Sequence, residues 1–200
     1  KKEKRSLESK LFYSYDIIGN SQPMLKVKNL ITKLSNTESR VFISGPAGSG
    51  KELVGRQIHK QSLRANKPFV VVNGALLDPQ KYELELFGTE NTNETTSYGF
   101  FEKAKDGTLL IDEVTEIPLE TQAKILRVLI DQKFRRVNGS KEINVNVRII
   151  STSSKNIREE VDKGNFREDL FHRLNVFQID IDPLFKRTED IPLLIDYFSQ

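Results

Sequence analysis

Five short apolar runs punctuate the chain: VFISG (41–45), FVVVN (69–73), TLLIDE (108–113), VRIIST (147–152) and VFQIDI (176–181). A strand with one wet face alternates apolar and polar residues. These runs are apolar at neighbouring positions, which predicts strands buried on both sides, as in a parallel sheet. Helix-like stretches separate most of them, and that alternation predicts α/β architecture. In PLETQAKILRVLI (118–130), Leu119, Ala123, Leu126 and Ile130 recur at helical spacing, and Pro118 suits a first helical turn. TEDIPLLIDYF (188–198) predicts another helix, with Thr188 as its cap and Glu189 and Asp190 at its positive end. One stretch breaks the rhythm. ENTNETTSYG (90–99) is almost devoid of apolar side chains, yet it lies between ELELFG and FFEKAKDGTLLIDE, both tightly patterned.

Composition narrows the classes. With 200 residues the chain suits one moderate domain with fragments of neighbours. It has no cysteine, so disulfides and thiolate metal sites are excluded, which fits a cytoplasmic protein. No apolar run approaches the roughly 20 residues of a membrane span, so no membrane partner is expected. The 31 basic and 28 acidic residues leave a net charge of +3, spread along the chain rather than gathered into a nucleic-acid footprint. The opening KKEKRSLESK reads as a solvated linker or helix end, with a DNA-contacting arm as the alternative.

Chemistry enters with VFISGPAGSGKE, a strand followed by G-x-x-x-x-G-K and a helix. Gly45, Pro46, Ala47, Gly48, Ser49 and Gly50 form a loop whose backbone N–H groups can turn toward phosphate oxygens. Lys51 reaches the terminal phosphates, and the helix opening with Glu52 and Leu53 points its positive end at them. A Ser or Thr usually follows the lysine; Glu52 stands there instead, so magnesium must depend on water, phosphate and a remote carboxylate. That carboxylate is at hand. TLLIDE ends an apolar strand with Asp112 and Glu113, and ligands gather at the carboxyl ends of parallel strands. Asp112 suits Mg2+, directly or through water, and Glu113 suits orienting or deprotonating an attacking water. The bland alternative, two solvated acids at a strand end, loses ground beside a phosphate loop.

These residues resemble the central AAA+ ATPase domain of NtrC-type bacterial enhancer-binding regulators, and within them the NtrX-like members. The likeness runs from DIIGNSQPM (16–24) to EDIPLL (189–194), through GPAGSGKELVGRQIH, PFVVVN, ELFG, GTLLIDEV, PLETQAKILRVL, NVRII, NFREDLFHRLNV and RTEDIP. It implies a three-layer P-loop AAA+ fold, a central parallel β-sheet flanked by helices, over residues 15–185. Residues 1–14 would be a linker or helix from an upstream receiver domain, and 186–200 the start of a helical lid that lies largely past Gln200. It implies ATP or ADP with Mg2+, and Ile17, Ile18 and Gly19 near the adenine. Asn73 would hold the catalytic Glu113 idle until the neighbouring site is ready. Arg167 and Arg173 would enter a neighbouring subunit's site, which implies a ring, typically a hexamer; on residue types alone they read as surface salt bridges with Glu168 and Asp169. DNA and a cognate sensor kinase would be met through domains outside this chain.

Two departures stand out. Where the family carries HEKGAFTGA, the loop that contacts the sigma-54 factor of RNA polymerase, this chain has TENTNETTSYG, which is shorter and polar. Asn93, Thr95, Thr96 and Ser97 offer little hydrophobic grip. Where the family has an asparagine that senses the terminal phosphate, Ser154 stands, with Thr152 nearby. His172 replaces a frequent tyrosine, and neither it nor His59 calls for a metal. Two functions are therefore expected to compete. One is an ATPase domain of a two-component transcription regulator; the other is a module in which bound nucleotide only sets oligomeric state. A replication or protein-handling role fits ELFG and FREDL poorly.

Overall fold

The computed structural model describes residues 16–78, 80–90 and 96–199. The expectations for residues 1–14, and for Asn93 and Thr95, lie outside them. In chain order the elements are α1 (Gln22–Ser35), β1 (Val41–Ser44), α2 (Lys51–Lys60), β2 (Phe69–Asn73), α3 (Tyr82–Phe87), β3 (Gly88–Glu90), β4 (Thr96–Tyr98), α4 (Phe100–Lys103) and β5 (Thr108–Asp112). Then follow α5 (Leu119–Asp131), β6 (Lys133–Arg135), β7 (Glu142–Asn144), β8 (Arg148–Ser153), α6 (Ile157–Asp162), α7 (Glu168–Leu174), β9 (Phe177–Asp180) and α8 (Ile191–Phe198).

All five apolar runs are strands of one sheet, in the order β2-β5-β8-β1-β9. Every pairing in it is parallel. Side chains alternate between the faces of a strand, and here both faces are dry. Phe42, Val72, Leu109, Ile111 and Ile149 pack into one core with α3, α4, α5 and α7. Val41, Ile43, Leu110, Ile150 and Ile179 pack into the other with α1 and α2. Continuous apolar runs are what this double burial requires, so the three-layer expectation holds.

The helix expected over residues 118–130 forms as α5, although the apolar positions that announced it are not all on its buried face, and one expected cap is absent. In α5 the buried face is Gln122, Ile125, Val128 and Leu129, whereas Leu119 and Ile130 are exposed. Gln122 rotates the helix: its Nε2 donates to the carbonyls of Ile117 and Asn165, and its Oε1 accepts from the Arg167 amide. A buried polar side chain with three bonds fixes the face as firmly as an apolar one. Nor does Thr188 cap a helix. Residues Thr188–Asp190 form a short 3₁₀ turn, and α8 starts after it.

Asp190, fully buried, is spent elsewhere. Its carboxylate accepts from the amides of Asn20 (2.7 Å) and Ser21 (2.8 Å) and from the Ser21 hydroxyl (2.7 Å), and Arg187 lies 3.6 Å away. Gly19 has φ +136°, and a Cβ there would stand 2.7 Å from the Asp190 carboxyl carbon, so only glycine lets the loop close on the acid. Burial raises the Asp190 carboxyl, but the bonds from Ser21 and Asn20 and the charge of Arg187 outweigh it and hold it below the usual range. A depressed folded pKa contributes stability above the unfolded value of about 4, lost as pH falls through the folded one. Asp190→Asn is expected to lower the unfolding free energy by about 2–4 kcal/mol at neutral pH. Urea denaturation across pH 2–7 checks it: the gap between wild type and variant should shrink toward the acid end.

Candidate functional site

The site lies where β1, β2, β5 and β8 end. Between β1 and α2 the chain turns through residues 45–50. Gly50 caps α2 at φ +99°, a conformation that residues with side chains resist. The Ser49 hydroxyl is buried in this loop and has no hydrogen-bond partner among the described residues. Lys51 is 6% exposed despite its charge. Its Nζ donates to the carbonyls of Gly45 (3.0 Å) and Pro46 (3.2 Å) and to Ser154 Oγ (2.7 Å), and lies 3.2 Å from Glu113 Oε1.

Ser154 joins the two charged groups. Its hydroxyl donates to Glu113 Oε1 (2.5 Å) and its amide to Oε2 (2.8 Å). Burial pushes the Glu113 carboxyl up; the Ser154 hydroxyl and amide and the Lys51 ammonium outweigh that and hold it below the ordinary glutamate value. Glu113 also has φ +50°, an uncommon backbone conformation for a residue with a side chain. Its amide donates to Thr152 Oγ1 at 3.1 Å, which anchors this turn.

Asp112 is gripped from both neighbouring strands. Thr152 Oγ1 on β8 donates to its Oδ1 (2.6 Å), and Asn73 Nδ2 on β2, its register partner, donates to its Oδ2 (2.7 Å). The resemblance had assigned Asn73 to Glu113; the structure pairs it with Asp112. The register explains this, because β2 and β5 end side by side while Glu113 has already turned away toward β8. Glu52 also points elsewhere, paired with Arg56 one helical turn on at 2.6 Å. Its carboxylate is therefore not among the phosphate-facing groups, and only its backbone belongs to the helix start.

Beside this polar cluster opens a cavity of about 570 Å3. Its walls include Ile17 and Ile18, the loop from Pro46 to Gly50, and Leu53, together with Leu194 and Tyr197 of α8. Gly19 sits behind that wall, against Asp190. Sequence reading missed Arg187, which lines the cavity and donates to the Ser49 carbonyl (3.3 Å) and the Asp182 carbonyl (3.1 Å). Its only signal was its place in RTEDIP, one of the segments that carry the family resemblance.

Arg167, which precedes α7, and Arg173 on α7 are exposed and lie outside this cavity. Arg167 forks onto Asp169, with bonds of 3.0 and 2.7 Å. Arg173 makes no ion pair among the described residues. The histidines are as ordinary as their setting suggests: His59 Nδ1 meets Thr108 Oγ1 at 2.9 Å, and His172 is exposed beside Glu168. Among the described residues no group of three or more His, Cys, Asp and Glu could hold a metal alone. Mg2+ does not need one, since it binds through one or two carboxylates plus substrate phosphates and water. One carboxylate beside a phosphate loop with a free serine hydroxyl fits that donor set.

The profile of the sigma-54 interaction domain family matches residues 17–180, which contain nearly all of this geometry. The chain belongs to that family. As a sigma-54 interaction domain it is 43% identical over 199 residues to the nitrogen assimilation regulatory protein NtrX of Azorhizobium caulinodans, covering 99% of this chain and 44% of that protein. It is 44% identical over 189 residues to the DNA-binding transcriptional regulator NtrC of Escherichia coli, covering 92% and 40%. The crystal structure of Brucella abortus NtrX in complex with ADP superposes at a TM-score of 0.91 with 46% identity, over 98% of this chain and 44% of that one. The same protein in complex with ATP gives 0.91 and 47%. The chain thus spans less than half the length of these relatives. No described helix is long and apolar enough to cross a membrane.

Proposed function

We propose that this domain binds ATP or ADP with Mg2+ and hydrolyses ATP within an oligomer, as the central unit of a two-component transcription regulator of the NtrX type. The observation that carries the reading is the Lys51–Ser154–Glu113 chain of contacts at the carboxyl ends of the strands, beside a cavity walled by the phosphate loop. The cavity takes the base and ribose against Ile17, Ile18 and Leu194. The backbone amides of Ala47, Gly48, Gly50 and Lys51 and the Ser49 hydroxyl take the phosphates. Lys51, now holding two loop carbonyls, has the reach to exchange them for phosphate oxygens. Asp112 holds the metal, which when bound neutralises charge between the terminal phosphates. Glu113, kept ionised, orients and deprotonates the water, and Ser154 sits where arrival of a terminal phosphate would disturb both Lys51 and Glu113. Asn73 tunes the metal carboxylate rather than the base.

Among the described residues no arginine other than Arg187 lines the cavity, so the charge of the transferred phosphoryl group calls for Arg167 and Arg173 of a neighbouring copy. That requirement supports a closed ring, hexameric in the family's manner. DNA and a sensor kinase would act through segments of a longer protein. The described part of the β3–β4 hairpin favours a second reading of the output. Thr89, Glu90, Thr96 and Ser97 are polar, and Tyr98 has the Arg136 guanidinium over its ring at 5.3 Å. Such a hairpin grips a sigma factor poorly, so nucleotide would set assembly, and assembly would set promoter occupancy, without ordinary sigma-54 remodelling.

ATP turnover of the full-length protein, measured against protein concentration, tests the reading. Specific activity is expected to rise steeply with concentration. ATP bound with background turnover at every concentration would leave only the nucleotide-gated assembly reading. Absence of ATP and ADP binding at millimolar levels would overturn both.

A further inference from the structure

At the opposite, amino ends of the same parallel strands, three arginines surround one carboxylate, which only Arg64 grips. A pocket of about 240 Å3 there is lined by Arg40, Arg64, Arg148 and Glu38. Arg148 opens β8 and is 2% exposed. Its Nη2 donates to the Leu34 carbonyl (2.8 Å) and its Nε to the Ser39 carbonyl (3.3 Å), but its Nη1 is buried with no partner among the described residues. Arg64 is saturated. It grips Glu38 Oε2 through Nε (2.8 Å) and Nη2 (2.6 Å), and its remaining donors meet Gly107 and Asn146. The one carboxylate is therefore already engaged. Arg40, just before β1, is half-buried and makes no side-chain hydrogen bond or ion pair among the described residues.

Burial lowers the affinity of the Arg40 guanidinium for its proton, and the neighbouring Arg173 charge adds to that. Burial does the same to Arg148, where Glu38 opposes it and Arg64 reinforces it. Desolvated cations without a counter-charge are costly, and planar guanidinium forks match oxyanions in shape and charge. We infer that this pocket is a binding site for a small oxyanion of the phosphate or carboxylate class, held by Nη1 of Arg148 and the guanidinium of Arg40, with the Arg64–Glu38 pair as its fixed frame. Nothing in it depends on nucleotide hydrolysis, and it lies at the far end of the strands from the phosphate loop.

The test uses the full-length protein, titrated with inorganic phosphate and separately with acetate at constant ionic strength in chloride, and read by calorimetry. Lys51→Ala serves as the background, since it removes the ammonium at the phosphate loop. One anion per chain is expected to bind in that background. Losing one charge-assisted pair is expected to weaken binding about tenfold or more in Arg40→Gln. Arg148→Gln should do the same, but it also strips bonds from the carbonyls after α1 and risks the fold; Arg40→Gln does not. Uptake of either anion that survives Lys51→Ala and falls with Arg40→Gln supports the site. Uptake of neither, uptake lost with Lys51→Ala, or uptake unmoved by Arg40→Gln overturns it.

Discussion

Lys51→Ala is expected to weaken ATP binding by at least about a hundredfold, because two or more charge-assisted contacts to phosphate, each worth about 1.5–3 kcal/mol, vanish together. The domain should still fold. Lys51 is buried, but its removal leaves Glu113 with the Ser154 hydroxyl and amide as donors, and frees two loop carbonyls that water can reach. Glu113 should also titrate differently, since one of the groups holding its carboxyl down is gone. Its proton affinity is expected to rise, because burial then meets less opposition. Calorimetric titration with ATP checks the affinity. Unchanged affinity in a folded variant would mean that the phosphates do not lie along residues 45–51.

Glu113→Gln and Arg173→Ala are each expected to abolish turnover, and their mixture to restore part of it. Glutamine keeps one acceptor oxygen for Ser154, loses the other to an NH2 group, and cannot take a proton, a loss of about 10²–10⁴ in rate. Removing an arginine that neutralises a neighbour's phosphoryl group costs roughly 10³–10⁵ in favourable cases. If each site is completed head-to-tail by the next copy, a random equimolar mixture equips roughly a quarter of its interfaces with both an intact Glu113 and an intact Arg173. Specific turnover should recover to a comparable fraction of wild type, provided both variants assemble. If the mixture stays as inactive as its parts although mixed oligomers form, Arg173 does not act across the interface. Arg167 is the less certain partner on geometry, since it must first leave Asp169, an exposed pair of the kind worth under about 1 kcal/mol.

Much of this was legible in the chain itself. The five strands could be found because double burial writes itself as unbroken apolar runs, and the phosphate loop because a backbone turn of that shape demands its glycines and lysine. What stayed hidden depended on side-chain meetings across long sequence separations. The buried face of α5 was misjudged because hydropathy cannot see that Gln122 has three partners. The partner of Asn73 depends on a register that places it beside Asp112, and residue type alone cannot distinguish neighbouring carboxylates. Ser154 was noticed only as a missing asparagine, whereas its position between Lys51 and Glu113 needed the ends of β5 and β8 to be brought together. Asp190 looked like a helix-start charge because an acid at the positive end of a helix is the commoner use of such a residue.

The Asp190 carboxylate joins residues 170 positions apart. During synthesis, the acceptor for the Asn20 and Ser21 amides therefore reaches the ribosome exit only after every strand of the sheet, the last ending at Asp180, has emerged. The sheet can assemble first, while the wall formed by Ile17 and Ile18 waits for Arg187 and Asp190 to arrive. A nascent chain halted before residue 187 should thus be folded in its middle yet unable to retain a nucleotide base.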